Sequence, residues 1–405
     1  MAQRRIGLWF IGACGGVAST TALGLSALAR GGTSSVGLVT ALPRLAALDL
    51  DEPASFVVGG HDIRQATLLS AVRELHERSR VIDERIIAAC AADLEAWSAN
   101  VRPGVVFRPN ATITRLADRP DVRQARTPRE AIDHIQTDLR QFQKTHRLDQ
   151  VVVVNAASTE PLFEVGEEHQ TLERLVPALG RSSPPALPTS SIYAFATLDA
   201  GFPYVNLTPS RGATLPALEE LARQRGVPHA GQDLKTGETL VKSVLAPLFA
   251  RRNLRVLSWV GHNILGNRDG LVLADPENKA SKVKSKDTLL AELLGYKPQS
   301  LVSIEYVESL DDWKTAWDHI HFEGFLGTKM VLQFTWQGCD SILAAPLVID
   351  LARLTALAQR RGEAGNLPHL ACFFKSPVGV TEHDFGKQFA LLEEYADRTT
   401  ATGRP

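Results

Sequence analysis

Lysine is used unevenly along this chain. Of 44 basic residues, 12 are lysines and 32 are arginines. A single lysine, Lys144, precedes position 235, ten fall from Lys235 to Lys375, and four of those sit in NKASKVKSK. An ammonium can give up its proton when buried or crowded by like charge, whereas a guanidinium in practice cannot. A chain that otherwise prefers arginine has therefore gathered its proton-transfer-capable cations in one region. Positioned ammonium groups also stabilise developing oxyanions, so the cluster suits steps in which protons leave and reach oxygens near pH 7. The plain alternative is an exposed basic loop. Within the cluster, Lys282 and Lys286 are four residues apart and share one face of a helical turn. Lys284 points elsewhere, and Lys279 reads as surface.

A second chemical stretch is GQDLKTGET (231–239). Gly237 and the amides of Thr236, Glu238 and Thr239 open a helix, where backbone N–H groups and the helix dipole favour an anion. A simple helix cap would use the same residues. Asp233 either orients a lysine or a ribose, or forms a turn.

These groups need a scaffold. MAQRRIGLWFIGACGGVASTTALGLSALARGG opens with a buried strand, a turn containing Gly12, Gly15 and Gly16, and an Ala/Leu-rich helix, the layout that sets amides against a pyrophosphate. A signal peptide would also begin with basic residues and an apolar run. The interrupting glycines and the Ser19-Thr20-Thr21 run favour the nucleotide loop, and export is the alternative. SFVVGGHDI (55–63) is a second strand, whose Asp62 could meet ribose hydroxyls although it lies beyond the usual ~20 residues. One long amphipathic helix is expected from about Arg64 to Trp97, loops around a short strand over 102–128, and a helix over 130–147. LDQVVVVNAASTEP (148–161) places four valines in a strand buried on both faces, ending at Ala157, Ser158 and Thr159. YVNLTPS (204–210) repeats that design. This alternation predicts an open doubly wound sheet. From about 253 the pattern changes: NLRVLSWVGHNIL, SLVSIEYVES and MVLQFTWQGCDS read as strands of an antiparallel layer. SILAAPLVIDLARLTALAQRR is an apolar helix returning to the first domain, and the tail from 398 is polar.

Composition narrows the function classes. A net charge of -1 over 405 residues gives no electrostatic reason to expect nucleic acid or an anionic membrane surface. Four separated cysteines without metal spacing point to free thiols in a reducing cytoplasm. No uninterrupted apolar run is long enough to predict a transmembrane helix.

GQDLKTGET, NILGNRDG (263–270), SKVKSKD (281–287) and CDSILAAPLVIDL (339–351), in this order, resemble the inositol-3-phosphate synthase (myo-inositol-1-phosphate synthase) family, together with NAASTE, GHDI and FFKSP. The resemblance covers essentially the whole chain and is strongest from 229 to 351. It implies an α/β fold: a Rossmann-type doubly wound parallel sheet domain interrupted by an α+β catalytic and tetramerisation domain. The implied divisions are 1–239, 240–341 and a return segment, 342–405. It further implies NAD used and regenerated within a turnover, a homotetramer, and a role in inositol and phospholipid biosynthesis. D-glucose 6-phosphate would be oxidised at C5, enolised, closed by an intramolecular aldol step and reduced to 1D-myo-inositol 3-phosphate. A monovalent or divalent cation is a further expectation, since the family varies.

By motif, the resemblance makes Lys282 the proton shuttle at C5 and lets Lys286 hold phosphate near C1. Lys375 and Lys314 would polarise the carbonyl and balance charge. Lys314 lacks the family's small preceding residues, so an exposed helix lysine is its alternative. Thr236, Gly237, Glu238 and Thr239 would hold the sugar phosphate. Asn267 and Asp269 would reach the nicotinamide end or the substrate, and Asp340 would pair with a lysine or cap the returning helix. Val17 and Ala18 replace the asparagines common in the family's glycine loop, and His61 stands where Trp is common. These departures leave open a paralogue cyclising another sugar phosphate. An ordinary NAD(P)-dependent oxidoreductase and a non-catalytic Rossmann-type sensor are the remaining readings.

Overall fold

The computed structural model describes residues 4–107, 111–183, 186–273 and 289–401. Among them the strands are β1 (Ile6–Ile11), β2 (Phe56–Asp62), β3 (Val101–Pro103), β4 (Val105–Val106), β5 (Arg123–Gln124), β6 (Gln150–Asn155), β7 (Tyr204–Asn206), β8 (Pro228–Ala230), β9 (Arg255–Leu265), β10 (Gln299–Tyr306), β11 (Trp313–Glu323), β12 (Lys329–Cys339) and β13 (Gly365–Asn366). Seven of them form one sheet in the order β13-β8-β7-β6-β1-β2-β3, every pairing parallel. The strand order reverses between β1 and β6, which is where such sheets open a crevice for a ligand.

The apolar pattern explains why β1 and β6 are central. Side chains alternate across a strand. Ile6, Leu8, Phe10, Val152 and Val154 face one core with helices Gly16–Ala29 and Asp340–Arg360. Trp9, Ile11, Val151 and Val153 face another with helices Pro128–His146 and Thr189–Asp199. A strand covered on both sides has no need of polar alternation, and each such side chain contributes roughly 1.5–3 kcal/mol on burial.

Helix Asp340–Arg360 is long and apolar enough to cross a membrane by length and composition, with mean hydropathy 1.7 over its best window, but 72% of that window is buried in this core. The sheet's last strand, β13, comes from beyond this helix, so the chain leaves the parallel sheet after β8 and later returns to it.

The intervening layer is a four-stranded sheet in the order β10-β9-β11-β12. It is mixed, not purely antiparallel as expected. β10 runs parallel to β9, and helix Arg268–Leu273 follows β9 where a hairpin turn would have led to an antiparallel neighbour. β9 with β11, and β11 with β12, are antiparallel. The segment holding Lys314 is a strand, so the exposed-helix alternative for that residue falls. Ala316, Asp318 and Ile320 point inward from β11, while Trp317 is exposed.

The single helix expected over 64–97 is two. Helix Leu68–Ser79 ends where Arg80 turns left-handed at φ 53. Asp83 then caps helix Glu84–Ser98 by accepting from the amide of Arg85.

Candidate active site

A cavity of about 570 Å³ opens at the carboxyl ends of β1, β2, β6 and β7 and is roofed by the mixed sheet. That volume lies within the ~300–1,000 Å³ of cofactor- and drug-sized sites. The turn after β1 forms its floor. Gly12 has φ +84, and a Cβ there would lie 3.1 Å from the Cα of Ala157 after β6. A Cβ on Gly16 would lie 2.5 Å from Ser341 Oγ. No side chain caps helix Gly16–Ala29, and its first turn holds no acidic residue, so its leading amides are presented to an anion.

Gly15, Ala157, Ser158 and Thr159 border the same space. Asp62 closes it at the end of β2, 5% exposed, accepting from the amides of Cys14 (2.6 Å) and Arg64 (2.7 Å). Burial pushes this carboxyl up, and the amide donors pull it back down. His61 is also buried: Trp9 Nε1 donates to its Nδ1 at 3.2 Å, while its Nε2 lies 3.0 Å from Asp138 Oδ2. Burial lowers its pKa despite that carboxylate. The neutral ring thus accepts at Nδ1 and donates at Nε2, which fixes its tautomer.

The lysines come from distant parts of the chain. Lys375 Nζ donates to Asp233 Oδ1 at 2.8 Å. The backbone explains how residues 142 positions apart meet. The amide of Lys375 donates to Asp233 O, that of Lys235 to Phe373 O, and the Gln232 and Ser376 amides exchange bonds with each other's carbonyls. Asp233 itself is 5% exposed and left-handed at φ 64. Lys314, between β9 and β12 in the mixed sheet, lies 3.6 Å from Asp340 Oδ2 at the head of the returning helix. Both pairs face the cavity, as do Thr236 and Asn267.

Three candidates for phosphate contact behave differently. Gly237, Glu238 and Thr239 begin helix Glu238–Arg251 but do not border the described cavity, and the Glu238 carboxylate turns inward to Asn263 Nδ2 at 2.7 Å. Lys282 and Lys286 lie outside the described residues, as does the side chain of Asp269.

The sequence reading missed Asp312, which borders the cavity at 5% exposure. It accepts from Ser341 N (2.8 Å), Ser341 Oγ (3.0 Å), Cys339 Sγ (2.8 Å) and Asn267 Nδ2 (3.3 Å), stitching the mixed sheet to the returning helix. Burial holds its carboxyl above the ordinary range. The only signal was the doubled acid in DDWK. Also missed was Lys235, 4% exposed, whose Nζ donates to Gln388 Oε1 at 2.6 Å. Burial, reinforced by the charge of Lys375, brings its pKa down to about 8.

A family model for NAD-binding proteins described as Myo-inositol-1-phosphate synthase matches residues 6–396. Inositol-3-phosphate synthase 1 of Bacteroides thetaiotaomicron is 32% identical over 97% of this chain and 95% of its own. Inositol-3-phosphate synthase isozyme 1 of Arabidopsis thaliana is 31% identical over 77% of this chain, which spans 61% of that longer protein. The crystal structure of inositol-3-phosphate synthase from Caenorhabditis elegans superposes with a TM-score of 0.87 at 25% identity, covering 98% of this chain and 86% of that one.

Proposed function

The chain belongs to the myo-inositol-1-phosphate synthase family, and from that premise we infer that it is an NAD-using isomerase converting D-glucose 6-phosphate to 1D-myo-inositol 3-phosphate. One observation carries the reading: two lysine–carboxylate pairs, Lys375–Asp233 and Lys314–Asp340, face the cavity whose floor is the Gly12–Gly16 turn.

The residues present fit NAD. The uncapped helix start and the close-packed glycines suit a pyrophosphate, and Asp62, Ala157, Ser158, Thr159 and Asn267 surround the remainder of the space. When bound, NAD supplies a hydride acceptor for C5 and the donor that later restores it. The chain's own groups supply the rest. Asp233 holds the Lys375 ammonium in place, so that it can polarise a carbonyl and quiet the oxyanion formed on enolisation. Lys314, tethered by Asp340, balances charge during ring closure. Lys282 moves the proton at C5 and Lys286 holds phosphate near C1, both assigned by motif. Thr236, which borders the cavity, is assigned the phosphate together with the backbone amides of Gly237–Thr239 behind it, the latter by motif; the Glu238 carboxylate would repel the phosphate and takes no part. A monovalent or divalent cation completes the proposed site.

The proposed assembly is a homotetramer. The outer face of the mixed sheet exposes Leu301 (53%), Trp317 (45%) and Val331 (52%) on three strands. Four buried free cysteines support a cytoplasmic location.

The test is to incubate pure protein with glucose 6-phosphate and NAD and to follow phosphorus and carbon NMR. An inositol phosphate should form, and Lys375→Ala should slow it by at least ~10²-fold. Net NADH without cyclisation would instead support an ordinary oxidoreductase. Unchanged glucose 6-phosphate would support a paralogue acting on another sugar phosphate.

A further inference from the structure

Behind the start of helix Glu238–Arg251 three ionisable side chains are shut in together. Lys242, Glu238 and Asp318 are 2%, 3% and 3% exposed. Lys242 Nζ lies 2.5 Å from Glu238 Oε1 and 3.7 Å from Asp318 Oδ1. β9 closes the group: Trp259 Nε1 donates to Asp318 Oδ1 at 2.6 Å, and Asn263 Nδ2 donates to Glu238 Oε2 at 2.7 Å. Gly261 makes the room, since a Cβ there would lie 2.5 Å from Glu238 Oε1 and 3.0 Å from Asp318 Oδ1.

Two carboxylates around one ammonium would carry a net negative charge with almost no access to water, which is costly. Adjacent carboxyls relieve this by keeping a proton between them. Burial first, and then the neighbouring Glu238 carboxylate, hold Asp318 above the ordinary carboxylate range, with Lys242 and Trp259 opposing. Among the described residues, the charged groups facing Asp318 are Glu238 and Lys242 from the helix.

We propose that Glu238, Lys242 and Asp318 retain one proton as a unit and thereby fix the helix start, making Asp318 a positioning residue for the sugar-phosphate grip. The proposal rests on the reading that Thr236–Thr239 hold the phosphate. With the proton in place the unit is neutral. Its loss to solvent leaves a buried negative charge directly behind amides that must receive a phosphate dianion. Affinity for the phosphate therefore falls as pH rises. Asp318→Asn keeps an acceptor for Trp259 and has no proton to lose.

The experiment is calorimetric binding of inorganic phosphate, which the loaded protein cannot turn over, to the full-length, NAD-loaded protein from about pH 5.5 to about pH 8.5. Wild type, Asp318→Asn and Glu238→Gln are compared, with thermal melts to establish folding. The phosphate's own titration is common to all three and cancels in ratios of Kd. The wild-type Kd should rise relative to that of Asp318→Asn by about three- to tenfold across the range. Glu238→Gln, which removes the other carboxylate, should flatten the profile likewise and serves if Asp318→Asn does not fold. A ratio independent of pH overturns the proposal while leaving the parent reading intact. No binding to wild type at any pH overturns both.

Discussion

Among the described residues, Lys235 is the lysine whose chemistry the fold alters most, because burial brings its pKa from 10.5 down to about 8. The folded protein thus holds this proton less tightly than the unfolded chain does. The cost of keeping it charged is present below about pH 8 and disappears as pH rises toward 10.5. Stability from this group should accordingly increase through that window. Lys235→Met should be more stable than wild type near pH 7, by on the order of 1–3 kcal/mol, and should lose that part of the pH dependence. Denaturant unfolding of both proteins on either side of pH 8 checks this, and parallel pH profiles would refute it. Asp233 could be picked out from its place in GQDLKTGET, but the burial of Lys235 could not. Its partners Gln388 and Phe385 come from a helix some 150 positions later in the chain, and no local spacing encodes that contact.

Strands buried on both faces were plain in the sequence: four valines in β6 and the apolar run of β1 need no structure to be recognised. β11 was not, because WKTAWDHIHFE alternates polar and aromatic residues and its inward set includes Asp318, an acid whose buried partners Lys242 and Trp259 come from other elements. Missing β11 also hid Asp312 at its threshold and the place of Lys314 within a sheet. The outward set on the same strands carries its own consequence. Leu301 on β10, Trp317 on β11 and Val331 on β12 lie on one face of the sheet by the registers through β9 and β11. Exposed aromatic and aliphatic residues in one patch mark an interface. Light scattering should give wild type four times the 44.0 kDa chain mass, and Trp317→Glu should lower it. A monomeric wild type would remove the tetramer from the account.

At the scale of the whole molecule, the chain builds the first part of a parallel sheet, leaves to form a mixed sheet, and returns to finish the first. That excursion places Lys314 in the cavity that the glycine turn also lines, beside Asp340, and the return places Lys375 beside Asp233. The motifs had offered Asp233 and Asp340 as carboxylates that pair with a lysine, but which lysine meets which carboxylate depends on the fold. The central claim is that such a convergence lets a sugar be oxidised and reduced on the same protein between proton-transfer steps. The most direct measurement is turnover of glucose 6-phosphate deuterated at C5 with NAD, following the label by NMR and the nicotinamide by absorbance. The account predicts an inositol phosphate that keeps deuterium on the carbon derived from C5, with no net NADH. Accumulation of NADH with an open-chain keto sugar, or loss of the label to water, would contradict it.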